Sequence, residues 1–445
     1  MPALIPRVLL TLAACKLVAA APSLTDILSN HANLTQLNNL LMNQSSDFLK
    51  SLQGQTDITF LAPNDHAFLG IPDTDVLAPA FQNKDYAGDI TNILKYHVLP
   101  GQHPSSSLSR NGSFQFLPTL LTDGNWSDVT GGQRIGAVLQ GDDPPLMVFT
   151  SGLSTRSAVT EQDVDFEGGI IQIIDNFAIP PMPFVYTVDQ YNLAFEAQGM
   201  LSFLGAVYSI PPINATTASL PRYLNETRDL TLFVPSNLAL EYVSGTLETL
   251  SPAALNDILS YHILGPNTGG PIYSSDFINQ TQLPTLQGSN ITLTFTSNSY
   301  FVNSARVIAA DILIKNGVMH VLDNVLSPNH TGIRGLNATT YTQAPVLPTT
   351  FPAGQALNSS AAPYTTFVPD FYVSVSSISD VVVQTETTAG GGGGQSTAFA
   401  TASSTGKHKK SAAGSLCHGA EGSGWLGANM GVAVVVTVAG GVFLL

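Results

Sequence analysis

Asp57-Ile58-Thr59-Phe60-Leu61-Ala62-Pro63-Asn64 and Asp229-Leu230-Thr231-Leu232-Phe233-Val234-Pro235-Ser236 are one phrase written twice. Each is an apolar run with threonine in its third position, halted by proline and followed by a residue suited to capping a helix. Thr59 to Ala62 is expected to be a buried strand. Pro63 and Pro235 end the run because proline has no N–H for a ladder, and Asn64 and Ser236 cap the next helix. Two more blocks repeat in the same order. Ile93-Leu94-Lys95-Tyr96-His97-Val98-Leu99 returns as Ile258-Leu259-Ser260-Tyr261-His262-Ile263-Leu264. Gly169-Ile170-Ile171-Gln172-Ile173-Ile174-Asp175-Asn176 returns as Gly317-Val318-Met319-His320-Val321-Leu322-Asp323-Asn324. Three ordered blocks at unequal spacing mark two homologous globular domains with variable loops, not a short-period solenoid.

Working outward, the first domain is placed at 23–181. It opens on the capping-box pattern Ser23-Leu24-Thr25-Asp26 and closes on a hinge, Pro180-Pro181-Met182-Pro183. The second is placed at 184–328. Its central helix is signalled by Ser251 as cap, Pro252 in the first helical position and Leu255, Ile258, Leu259 and His262 on one face. Residues 329–414 are rich in Pro, Ser, Thr, Ala and Gly and read as a flexible, O-glycosylated stalk, although 367–383 is apolar and alternating, as a strand or docking segment would be.

The ends of the chain speak of location. Arg7, an apolar run over 8–18 and Ala19-Ala20-Ala21 form a secretory signal peptide, assigned to 1–20. Residues 415–445 end in an apolar run from Gly431 to Leu445, without the ~20 residues or the basic flank of a spanning helix. Small residues, a spacer and an apolar tail make a GPI-attachment signal, with Ala412, Gly414 or Gly422 as attachment residue; a single-pass anchor is the alternative. Eleven Asn-x-Ser/Thr sequons fit a secreted chain: Asn33, Asn43, Asn111, Asn125, Asn214, Asn225, Asn279, Asn290, Asn329, Asn337 and Asn358.

Composition narrows the chemistry. The only cysteines, Cys15 and Cys417, fall in the two terminal signals, so the mature domains are expected to rest on apolar cores without disulfides. The net charge of −15 opposes nucleic acid as a partner. Elbow, zincin and Cys-x-x-Cys motifs are missing, and the nine histidines lack ligand spacing, so no enzyme, cofactor or metal is expected. Glu161, Asp163, Asp165 and Glu167 alternate along a strand; a solvated acidic edge is the expected state and a cation site the alternative. Gly169 and Gly317 suit a turn into the last strand of each domain, and Asp175 and Asp323 suit its exit.

At these residues the chain resembles a tandem fasciclin-domain protein, over about 23–328. The resemblance rests on the Thr-x-x-x-Pro block, the Tyr-His pair and the Gly-x-x-x-x-x-Asp-Asn block, and is closest at 305–318. It implies an α+β fold, with each domain a β-sandwich wedge flanked by helices. It also implies non-enzymatic adhesion at the cell surface, with extracellular matrix, wall polysaccharide or surface proteins as partners. A membrane-anchored vacuolar or secretory-pathway factor in membrane fusion or wall assembly is the alternative. Domain one departs from the pattern where Asp163-Val164-Asp165-Phe166-Glu167 stands opposite Ala310-Asp311-Ile312. The resemblance places adhesion determinants near Tyr96-His97 and Tyr261-His262. The apolar residues flanking both pairs point instead to core contacts with satisfied imidazoles.

Overall fold

The computed structural model describes residues 21–73, 77–82, 87–110, 112–141, 143–194, 199–211, 219–296, 298–330, 343–349, 363–373 and 381–384. The signal segment, most of 329–414, the tail with Ala412, Gly414 and Gly422, and the sequons at Asn111, Asn214, Asn337 and Asn358 lie outside them.

The first repeat begins with α1 (Leu24–Asn30), α2 (Thr35–Asn43), α3 (Ser46–Gln53), β1 (Ile58–Pro63), α4 (Ala78–Gln82), α5 (Ala87–Tyr96) and β2 (Val98–Pro100). Five more strands complete it: β3 (Gln115–Pro118), β4 (Arg134–Gln140), β5 (Leu146–Thr150), β6 (Arg156–Phe166) and β7 (Gly169–Ile174). The second begins with α6 (Phe184–Ala194), α7 (Leu201–Ser209), α8 (Leu220–Glu226), β8 (Leu230–Pro235), α9 (Asn237–Glu248), α10 (Pro252–Ser260) and β9 (Ile263–Leu264). It continues through β10 (Gln282–Pro284), β11 (Asn290–Thr296), β12 (Ser299–Val302), β13 (Ala305–Ile314) and β14 (Gly317–Leu322). The two repeats carry the same elements in the same order.

In the first repeat the strands run β2-β1-β7-β6-β5-β4-β3, and in the second β10-β11-β12-β13-β14-β8-β9, the same arrangement read from the other edge. Among the described residues only the pairs β1–β7 and β8–β14, the first and last strands of each domain, are parallel. β6 starts beside β5 and ends beside β7, with register shifts between Val159 and Val164. β13 shifts in the same way between Val307 and Ile312. These long bulged strands turn one ladder into the two facing halves of a wedge.

Local chemistry explains the framework. Ser23 and Asp26 form the capping box of α1, and Ser251 caps α10 with Pro252 at its first turn. β1 and β8 are buried along their whole length. Gly169 and Gly317 sit at φ +150° and +155°, and a Cβ on either would lie 1.9 Å from the carbonyl oxygen of Ile58 or Leu230. Only glycine permits the parallel strands to meet there. Leu28, Leu37, Ile90 and Ile93 close the helical side of the first core over Phe60 and Ile171. In the second repeat Leu204, Leu240 and Leu259 pack over Leu232 and Met319, while Phe233, Tyr261, Ile291 and Val302 fill the space between the half-sheets.

The two domains are bonded to each other. Lys315 Nζ meets Asp128 Oδ2 at 2.8 Å, with both side chains mostly shielded from water. Asp229 accepts from Thr130 N at 2.7 Å and Thr130 Oγ1 at 2.5 Å. Gln133 Nε2 donates to the Lys315 carbonyl at 3.0 Å. Phe116 stacks on Tyr273 with ring centroids 4.4 Å apart. Pro180-Pro181-Met182-Pro183 was expected as a hinge. All four residues are buried, and the Met182 carbonyl accepts from Lys315 N at 2.8 Å. The proline run is a packed strap, because the domains close over it.

Past 328, not every residue stands off the domains. Gln343 N donates to Asp323 Oδ2 at 2.8 Å, its carbonyl accepts from Asn324, and Leu347, Tyr364 and Val368 pack on the second core. Within the apolar 367–383 stretch and its border, β15 (Asp370–Val373) pairs antiparallel with β16 (Val381–Gln384).

Candidate functional site: the Tyr-His pairs and the Thr-Ser-Asp nodes

Each Tyr-His pair sits where the helix before β2 or β9 ends. His97 and His262 are wholly buried. His97 Nδ1 donates to the Ile93 carbonyl at 2.8 Å, and its Nε2 accepts from Ala178 N at 3.0 Å. His262 repeats this with the Ile258 carbonyl at 2.8 Å and Leu326 N at 2.9 Å. A carbonyl can only accept and an N–H can only donate, so both rings are fixed as the neutral Nδ1–H tautomer. Burial drives each imidazole down from 6.5 to about 4, with the carbonyl bond opposing it. Tyr96 Oη donates to the Arg134 carbonyl at 2.8 Å. Tyr261 Oη donates to the Asn290 carbonyl at 2.7 Å and accepts from Asn303. The pairs thus tie a helix end to the segment after the last strand and to the opposite half-sheet. They reach no surface.

The threonines of the first block do different work. Thr59 Oγ1 donates to the Gly101 carbonyl and accepts from His103 N, both at 2.8 Å, pinning the loop after β2. Thr231 Oγ1 accepts from Ile272 N at 2.8 Å in the matching loop. Each loop then offers a serine to a half-buried aspartate. Ser105 donates to Asp163 through its N at 2.9 Å and its Oγ at 2.6 Å, while Gln172 Nε2 adds a bond of 2.6 Å. Ser274 donates to Asp311 through its N at 2.7 Å and through its hydroxyl. His320 stands where Gln172 does, accepting from Asp311 N and donating through Nε2 to the Ile272 carbonyl at 2.9 Å. Burial pushes the Asp163 carboxyl up, but bonds from Ser105 and Gln172 outweigh it and hold it low. Burial wins at Asp311, which is raised, and at His320, which is lowered.

Asp163 and Asp311 are therefore equivalent. Both sit at a bulge with positive φ, 57° and 63°, each followed by a residue paired to the third position of the last strand: Val164 to Ile171 and Ile312 to Met319. The apparent departure of domain one was a register offset; Gln162-Asp163-Val164 occupies the place of Ala310-Asp311-Ile312. The bulge also breaks up the acidic strand. Asp163 is bonded to Ser105, whereas Glu161, Asp165 and Glu167 are exposed and Glu161 meets His31 at 3.0 Å. Among the described residues no cluster suited to a metal ion is present.

Ser274, Asp311 and His320 look like parts of a hydrolase triad but are wired otherwise. The serine bonds to the aspartate, and the histidine spends its Nε2 proton on a backbone carbonyl, so no base faces a nucleophile. Sequence reasoning missed Ser105, Ser274, Gln172 and His320. One signal was available: a polar residue repeats at the fourth place of an otherwise apolar block. Pro63 and Pro235 end their strands, and the next residue caps: Asn64 Oδ1 accepts from Ala67 N, and Ser236 Oγ from Ala239 N. Asp175 and Asp323 take the N–H of Ala158 and Arg306, each at 2.7 Å. Burial raises Asp323 to about 6. Of the described sequons, Asn33, Asn43, Asn125, Asn279, Asn290 and Asn329 are exposed, and Asn225 is half-buried in α8.

Comparison with known proteins adds a family and relatives. The fasciclin domain family model matches residues 32–180 and 213–328. A fasciclin-like arabinogalactan protein of Arthroderma benhamiae is 29% identical over 318 residues, 70% of this chain and 68% of that protein. One from Phaeosphaeria nodorum is 26% identical over 320 residues, 72% of this chain and 92% of that protein. A solved FAS1 domain pair from the insect cell adhesion molecule fasciclin I aligns with a TM-score of 0.32 at 17% identity, covering 67% of this chain and 98% of that one.

Proposed function

The chain belongs to the fasciclin family, and from that premise we propose that it is a non-enzymatic glycoprotein of the cell surface or wall. In this reading the two fasciclin domains bind extracellular matrix, wall polysaccharide or surface proteins. The observation that carries it is the bonded interface of Asp128, Thr130, Asp229 and Lys315, which holds two domains as one unit with fixed outer faces. A fixed pair suits attachment between surfaces better than turnover of a small molecule. The closed wiring of the Tyr-His pairs and of Ser274 supports a non-catalytic role. The relatives' name, arabinogalactan protein, supports a glycan-bearing wall setting.

The same reading puts the signal peptide at 1–20, the domains at 23–181 and 184–328, the stalk at 329–414 and a GPI signal in the tail. Two measurements test it: attachment of cells lacking the gene to each other and to a substrate, and release of the protein by phospholipase C from intact cells. Unchanged attachment under every condition removes the adhesive role. Retention on an internal membrane replaces the lipid anchor with the vacuolar or secretory-pathway alternative.

A further inference from the structure

Among the described sequons, Asn279 has large apolar side chains exposed beside it. It stands in the loop between Ser274 and β10, beside Ile278, 70% exposed, and Phe295, 42% exposed. Phe295 contacts Tyr300 with centroids 4.8 Å apart, and Tyr300 meets Phe277 at 5.2 Å. A line of rings therefore runs from the buried Phe233–His320 stack out to water, and its open end is at the sequon. Exposed apolar side chains gathered at one place offer a surface on which a partner or ligand can rest.

The sequon is also held in shape. Thr281 N donates to the Ile278 carbonyl, closing a four-residue turn in which Gln280 is left-handed at φ 65°. Gln280 N and Leu293 N tie that turn to β11. Asn279 Oδ1 accepts from Phe295 N at 2.9 Å. An N–H can be met only by the amide oxygen, so Nδ2, the atom a glycan uses, is left over on an exposed side chain whose oxygen is bonded to the Phe295 backbone.

We propose that Asn279 carries an N-linked glycan whose first N-acetylglucosamine lies on the Phe295–Tyr300 rings and completes the second domain's surface. This rests on the secretory reading given above. In the transfer, Asn279 Nδ2 bonds to the anomeric carbon of a lipid-linked oligosaccharide. The bond from that carbon to the lipid diphosphate breaks, and the diphosphate and the amide proton leave. The apolar face of the sugar then meets the exposed part of these rings, as stacked carbon surfaces do elsewhere in proteins.

The test uses the full chain secreted from a eukaryotic host, with glycan occupancy mapped by peptide mass spectrometry after enzymatic release in heavy-oxygen water. Thr281→Ala removes the sequon and leaves the Asn279–Phe295 bond intact. With Asn279 occupied, Thr281→Ala is expected to lower Tm by about 2–4 °C, the shift that ~1 kcal/mol produces in a domain of this size. Phe295→Ser is expected to cost more in the glycosylated chain than in the Thr281→Ala background, by about the shift given for Thr281→Ala, because the Phe295–Tyr300 contact is lost in both. Should Phe295→Ser fail to reach the medium, Phe295→Leu keeps the apolar bulk without a ring face. Independent, additive shifts overturn the contact. An empty Asn279 beside an occupied Asn33 or Asn290 overturns this inference alone, and a chain with every sequon empty overturns the secretory reading with it.

Discussion

Replacing His262 tests whether the Tyr-His pair is an internal tie or a docking point. In the folded domain its ring satisfies the Ile258 carbonyl and Leu326 N, and neither group reaches water. His262→Ala orphans Leu326 N, while the Ile258 carbonyl keeps Tyr261 N at 3.2 Å, so the second domain should lose about 1–3 kcal/mol before any cavity is counted. The pH dependence carries a distinct signature. Below 6.5 the unfolded imidazole takes a proton, while the folded one stays neutral down to about 4. The unfolded state then binds more protons, so this contribution is complete above pH 6.5 and fades as pH falls toward 4. At pH 4.5 the loss is about 2–3 kcal/mol. Asp89 and Asp323, both raised by burial to about 6, act in the opposite sense but equally in wild type and variant, so they cancel in the difference. Urea unfolding of the full chain at pH 7.5 and 4.5, wild type against His262→Ala, reads both effects. The gap should be wide at pH 7.5 and narrow by about 2–3 kcal/mol at pH 4.5. A variant of unchanged stability that reaches the surface yet no longer attaches would refute the reasoning and make the pair a contact site.

Gly317→Ala places a Cβ 1.9 Å from the Leu230 carbonyl at φ +155°, so it should break the β8–β14 pairing and abolish secretion, read by surface abundance. Thr130→Ala strips the hydroxyl donor from Asp229 across the interface and leaves only the backbone N–H, and calorimetry should then resolve two unfolding transitions in place of one. Tyr261→Phe removes the bonds to the Asn290 carbonyl and Asn303, costing about 1–3 kcal/mol in the same urea assay. Ser274→Ala should lower stability and leave attachment intact, because the serine serves Asp311; an attachment defect at normal stability would speak against that.

Legibility in the sequence tracks how local each physical cause is. The strands at Thr59 and Thr231, the cap at Ser251 and the glycines at 169 and 317 are set by neighbours in sequence and by backbone sterics, and these were readable. The aspartate nodes were not. Ser105 lies in a run of serines that reads as loop, and it meets Asp163 only after β6 bulges, a register change that periodicity hides. The proline strap was mistaken for a hinge because its burial depends on the second domain arriving, with Lys315 N reaching Met182. The Asp128–Lys315 pair has no signal in the sequence for the same reason.

The parallel pairing of first and last strands also decides how each domain responds to mechanical pull. Tension entering β8 at Leu230 and leaving β14 at Leu322 acts on opposite ends of two strands that run side by side in the same direction. The six paired positions from Gly317–Leu230 to Leu322–Pro235 are then loaded in shear, all at once, and cannot peel one by one from an end. β1 and β7 repeat the arrangement in the first domain. A chain stretched between a tether and a grip would meet two such clasps in series, each yielding only when its whole ladder gives way.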